Sequence, residues 1–81
     1  MSVMREFLVA YDYGMGGIWG IAVGQSEDAV TREFPELKIA HARPEWMDDD
    51  EYARLRENLF VVGDETSYPE WLKVLIANRG R

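Results

Sequence analysis

The sequence predicts a small α+β domain: a mostly antiparallel sheet, built from an N-terminal β-hairpin plus one or two further strands, with two to three helices on one face as a two-layer sandwich. Three observations predict it. Apolar residues alternate on either side of a glycine cluster near the N-terminus, apolar residues recur at helical spacing in three later segments, and 81 residues leave room for one core. Residues 1–81 are therefore expected to fold as a single domain. Apolar residues make up 47% of the chain, with three Trp, four Tyr and three Phe, enough to fill that core despite the charge.

From Arg5 to Tyr13, Phe7, Val9, Tyr11 and Tyr13 alternate with Leu8, Ala10 and Asp12, as in a strand with one face more apolar than the other. Gly14, Met15, Gly16 and Gly17 supply a tight reversal, and Ile18 to Val23 resumes the strand pattern, completing a hairpin. Gly20 inside the second strand packs nothing of its own, which predicts a bulge or a close approach by another group.

Ser26 is a candidate N-cap, followed by Glu27 and Asp28 at the positive end of a helix dipole. Val30 and Phe34 then share one helix face, and Pro35 ends the helix. Leu37 to Ala42 reads as a third strand. Asp48 with Glu51 forms a capping-box-like start, and Tyr52, Leu55 and Leu59 make the buried stripe of a second helix. Phe60 to Val62, before Gly63, reads as a short fourth strand or as an extension of that helix. Ser67 and Glu70 predict a capping box, with Pro69 in the first turn, for a terminal helix carrying Trp71, Leu72, Leu75 and Ile76. The tetrapeptide Pro44-Glu45-Trp46-Met47 recurs as Pro69-Glu70-Trp71-Leu72, read as two helix starts or turns in which tryptophan anchors the element in the core.

Charge and composition exclude several function classes. Nine basic residues against fifteen acidic ones give a net charge of −6, which opposes the phosphate contacts that dominate nucleic-acid affinity. Both sides of Pro44 are acidic, so neither half is a hidden basic module. Without cysteine, disulfides, thiolate nucleophiles and thiolate metal sites are ruled out, and a cytoplasmic location is the expectation. No apolar run approaches the roughly 20 residues of a membrane span, and residues 1–6 do not read as a secretory leader. A core this small leaves stability modest, so a homodimer that covers further apolar surface is also expected.

No residue pattern specifies a chemistry. The Gly14–Gly17 loop lacks the following helix and lysine of a phosphate-binding loop and is better explained as a turn. Ser26 and Ser67 read as caps, not nucleophiles. His41, the only histidine, lacks partners at metal-ligand spacing, and Asp48, Asp49, Asp50 and Glu51 are consecutive where a calcium loop would alternate its ligands. No cofactor and no metal are expected.

The expectation is a small acidic, non-catalytic protein-binding or regulatory module of the immunity, antitoxin, inhibitor or adaptor kind. Its partner would present a basic surface to Glu45, Asp48, Asp49 and Asp50, and to the hairpin aromatics Tyr11, Tyr13 and Trp19. For each aromatic the plainer reading is core packing, and for the aspartates helix capping. The alternative is a small-ligand site lined by Trp19, His41 and Arg43, and a minimal enzyme working through His41 ranks last.

Overall fold

In the computed structural model, which describes residues 3–12, 14 and 17–79, four strands and three α-helices form an α+β fold around a largely antiparallel sheet. Strands β1 (Arg5–Asp12) and β2 (Gly17–Gly24) are the hairpin, paired from Arg5 opposite Gly24 to Asp12 opposite Gly17 without a break in register. Asp12 Oδ1 accepts a hydrogen bond from Gly14 N (2.8 Å), and Gly14 has a φ of 91°, so the aspartate and the glycine together start the reversal. Tyr13, Met15 and Gly16 lie outside the described residues.

Strand β3 (Lys38–Ala40) pairs antiparallel with β1, and β4 (Phe60–Val61) pairs parallel with β2, giving the order β3-β1-β2-β4. Of the two readings of residues 60–62, the strand is the one that forms. Val62 N extends it by donating to Val23 O at 2.9 Å.

Because strand side chains alternate, the hairpin divides into two apolar faces. On one, Val9 and Ala22 pack with Phe34, Phe60, Tyr68, Leu72 and Leu75. Helix α1 (Glu27–Glu33) and helix α3 (Glu70–Ala77) cover this face through Val30, Leu72 and Leu75. These layers form the sandwich expected from the pattern, with two helices on one face. The alternate residues Leu8 and Ile21 pack with Met47 on the reverse face. Helix α2 (Asp49–Glu57) lies over it, contributing Tyr52 and Leu55, with Leu59 just beyond its end.

Phe60 is the hub of the main core. Its ring meets Phe34, Tyr68 and Trp71 edge-to-face at centroid distances of 5.8, 5.9 and 6.1 Å. Gly20 has the close neighbour its sequence position implied. A Cβ there would lie 3.1 Å from Trp71 Cζ2, while the ladder around it is unbroken.

The first two helix starts follow their sequence signals. Ser26 Oγ accepts from Ala29 N (3.1 Å), and Asp48 Oδ1 accepts from Glu51 N (2.9 Å). Helix α1 stops at Glu33, two residues before Pro35. The third start differs from the expected capping box: α3 has Pro69 at its N-cap and no side-chain cap hydrogen bond. Ser67 instead closes a one-turn 3₁₀ segment, Glu65–Ser67, and its Oγ accepts from Val61 N at 2.8 Å. That bond satisfies a part-buried backbone donor of β4, which a cap on α3 would have forfeited. Tyr68 Oη likewise accepts from Gly63 N (3.0 Å), holding the left-handed turn at Gly63, whose φ is 94°.

The end of α3 is tied back to α1. Arg79 donates to both carboxylate oxygens of Glu36 (2.6 and 2.7 Å) and to Glu33 O (2.8 Å), with its guanidinium 5.5 Å over the Phe34 ring. The Arg79 hydrogen bonds hold the Glu36 carboxyl below its ordinary range, and Glu36 in turn raises Arg79.

Candidate functional site

The surface that brings most of the sequence-marked residues together lies at the N-terminal end of α2, on the reverse face of the sheet. Pro44 O accepts from Met47 N (3.1 Å), forming a turn that aims its two large residues differently. Met47 is buried at 4% exposure and plugs the second core, whereas Trp46 is 60% exposed. The anchor expected at Trp46 is therefore supplied by Met47, since the turn lets only one of the two neighbours face inward. Trp46 packs edge-on against Trp19 of β2, with centroids 5.6 Å apart and planes at 76°. Trp19 is half-buried against Leu8, Ile21 and Met47.

Acids flank Trp46 in sequence and continue along the helix start. Asp48 is committed to capping, and Asp49, 95% exposed in its side chain, pairs with Arg43 at 2.8 Å. Asp50 and Glu45 are exposed. Glu51 meets Arg54 at 3.4 Å, and Arg43 also stacks over the Tyr52 ring at 5.0 Å. Five acids thus face two arginines here. The capping and the charged rim coexist because only Asp48 turns an oxygen toward the helix backbone.

The hairpin aromatics are not one surface. Trp19 stands on the α2 face, while Tyr11, opposite Ile18, stands on the α3 face and packs against the main core. The strand period separates them: Tyr11 falls in the set with Phe7 and Val9, whereas Trp19 lies opposite Ala10 in the other set. Tyr13 is outside the described residues.

The ligand-site residues divide in a similar way. His41 and Arg43 both line an open groove of about 450 Å³ together with Glu6, Phe7, Glu27 and Tyr52. His41 Nε2 lies 2.7 Å from Glu27 Oε1, and the Arg43 pair with Asp49 joins this groove to the acidic rim. Trp19 lines a separate depression with Ala10, Asp12 and Gly17. Among the described residues, no group of three or more His, Asp or Glu is placed to hold a metal ion, and no buried side-chain polar atom lacks a hydrogen-bond partner. No helix of the described residues is long and apolar enough to cross a membrane.

Sequence reasoning missed Trp46 as a surface residue. Nothing local marks it: Trp46 and Met47 lie side by side between Glu45 and Asp48, and only the packed sheet decides which of the two turns inward. Comparison with protein-family models, with curated proteins and with solved structures gives no match.

Proposed function

We propose that this chain is a non-catalytic protein-binding or regulatory module, of the inhibitor, antitoxin, immunity or adaptor kind, whose partner presents a basic surface. One observation carries the reading: Trp46 is left 60% exposed, braced by Trp19, at the acidic start of α2. A large aromatic in contact with water is a favoured anchor for a partner, and a charged rim around it steers encounter. The net charge of −6 suits a basic partner and disfavours a nucleic acid.

The test compares captured proteins across variants. Wild-type protein, Trp46→Ala, and Asp49→Lys combined with Asp50→Lys are immobilised, with Glu65→Ala at a distant exposed site as control. A partner retained by wild type and control but lost from both other baits supports the reading. Capture that is the same on all four baits refutes it.

A second reading is supported by the groove beside β3, where His41 and Arg43 share a lining of ligand-sized volume. Titration of the protein with small anions and metabolites, followed by His41 side-chain resonances, tests it. Saturable shifts of the His41 ring and of the Ile39 and Tyr52 amides, the amide shifts being lost in His41→Ala, would favour this reading, and unchanged His41 resonances throughout would refute it.

A further inference from the structure

The depression beside Trp19 combines an indole with a carboxylate. It lies at the turn end of the hairpin, on the α2 face, lined by Ala10, Asp12, Gly17 and Trp19, with an open volume of about 340 Å³. Ala10 opposes Trp19 and Asp12 opposes Gly17 in the β1–β2 register, so two of the four lining residues are very small. A Cβ at Gly17 would lie 3.7 Å from Trp19 Nε1, so the missing side chain is what keeps the space beside the indole open.

The two remaining walls each have one partner. Trp19 is braced by Trp46, and Asp12 Oδ1 accepts from Gly14 N at 2.8 Å, which restrains the carboxylate. His41, Arg43, Arg54, Arg56 and Arg79 each pair with a carboxylate elsewhere, and among the described residues no side-chain cation pairs with Asp12. Lys38, opposite Ala10 on β3, is the nearest cation by register and weakens the negative field of the site without lining it.

We propose that this depression seats one arginine side chain of the partner, a deepening that rests on the protein-binding reading above. An indole beside a restrained carboxylate favours a cation that can stack and donate together. Guanidinium does both through its planar fork, whereas a lysine ammonium is a more strongly hydrated point charge. Anions are repelled by Asp12, and an apolar side chain would strip water from its carboxylate without replacing the hydrogen bonds. One carboxylate is too few ligands for a resident metal ion.

The test is a ¹H–¹⁵N NMR titration of the full chain with N-acetyl-arginine amide, N-acetyl-lysine amide and the neutral urea analogue N-acetyl-citrulline amide. The expected result is saturable shifts of the Trp19 indole N–H and the Gly17 amide with the arginine compound, weaker ones with lysine and none with citrulline. Asp12→Asn keeps an acceptor for Gly14 N but removes the charge, and weakens arginine binding about tenfold. Gly17→Thr fills the depression and abolishes the shifts, while Lys38→Gln strengthens them. Unsaturable shifts spread over the surface, or equal affinity in Asp12→Asn, overturn the proposal. If a partner is captured through Trp46 but Asp12→Asn leaves capture unchanged and arginine gives no shift, the arginine seat fails and the protein-binding reading stands. A saturable arginine shift with no captured partner supports the seat and counts against that reading.

Discussion

Replacing Phe60 with leucine isolates what the aromatic hub contributes. Phe60 is fully buried and touches three rings edge-to-face, and leucine keeps most of the apolar volume while losing all three ring contacts. Each such pair contributes about 0.5–1.5 kcal/mol beyond area burial. Contributions that share one ring do not add fully, so the expected loss is roughly 2–3 kcal/mol, including a small cavity term. Against the 3–5 kcal/mol or so that a core of this size supplies, that is about half the stability or more. The melting temperature should fall by roughly 10–20 °C. Urea unfolding followed by circular dichroism measures the change, with Leu55→Ala as comparison, since Leu55 is only partly buried on the thinner reverse face. A Phe60→Leu loss below about 0.5 kcal/mol, or one smaller than that of Leu55→Ala, would refute the hub and place the stability of the fold elsewhere.

Three further perturbations separate local causes. Ser67→Ala leaves Val61 N without its side-chain acceptor and should cost about 1–2 kcal/mol, read by urea unfolding, with amide exchange at Val61 accelerating before that of β1. Gly20→Val drives methyl groups into Trp71 and should cost roughly 1–3 kcal/mol with a shift in tryptophan emission; unchanged emission and stability would mean that Trp71 moves aside freely. Arg79→Met removes the double hydrogen bond to Glu36 and should cost about 1 kcal/mol at neutral pH, discounted for partial exposure. Because Arg79 lowers the Glu36 value in the folded state, that contribution is present above the ordinary carboxyl value of 4.5 and is lost as pH falls through the folded-state value. The gap between wild type and Arg79→Met therefore narrows in acid, and a gap that widened there would contradict the assignment.

Local signals were legible wherever the chain determines its own geometry. The alternation through Phe7, Val9 and Tyr11 gave the hairpin, and Ser26 and Asp48 gave their helix starts, because each depends on residues a few positions away. The stripe of Tyr52, Leu55 and Leu59 gave α2 as a helix, but nothing in that stripe says which side of the sheet receives it. That is decided by Leu8 and Ile21, whose face needs a cover. Ser67 misled because a hydroxyl three residues before a glutamate looks the same whether its acceptor serves the helix that follows or the strand just before it. Of the candidate site, the acidic start of α2 was readable as a run of aspartates and Trp19 as a hairpin aromatic, while Trp46 read as a core anchor. Pairing Trp46 with Trp19 joins residues from separate elements, and the exposure of Trp46 follows from Met47 taking the inward place.

The route of the chain between β2 and β4 has a kinetic consequence. After Gly24 the backbone crosses to the far edge of the sheet, forms β3 and α2, and returns at Phe60 to lie parallel beside the strand it left. The hairpin can zip up from its own turn, whereas β4 must close a loop spanning residues 25–59 for a ladder two residues long. Loop closure of that kind costs entropy before any contact repays it, so the hairpin is expected in the folding nucleus and β4 is expected to dock after the rate-limiting barrier, which rate measurements on variants of each would check. Substitutions in β1 and β2 would then slow refolding, while those around β4 would chiefly hasten unfolding.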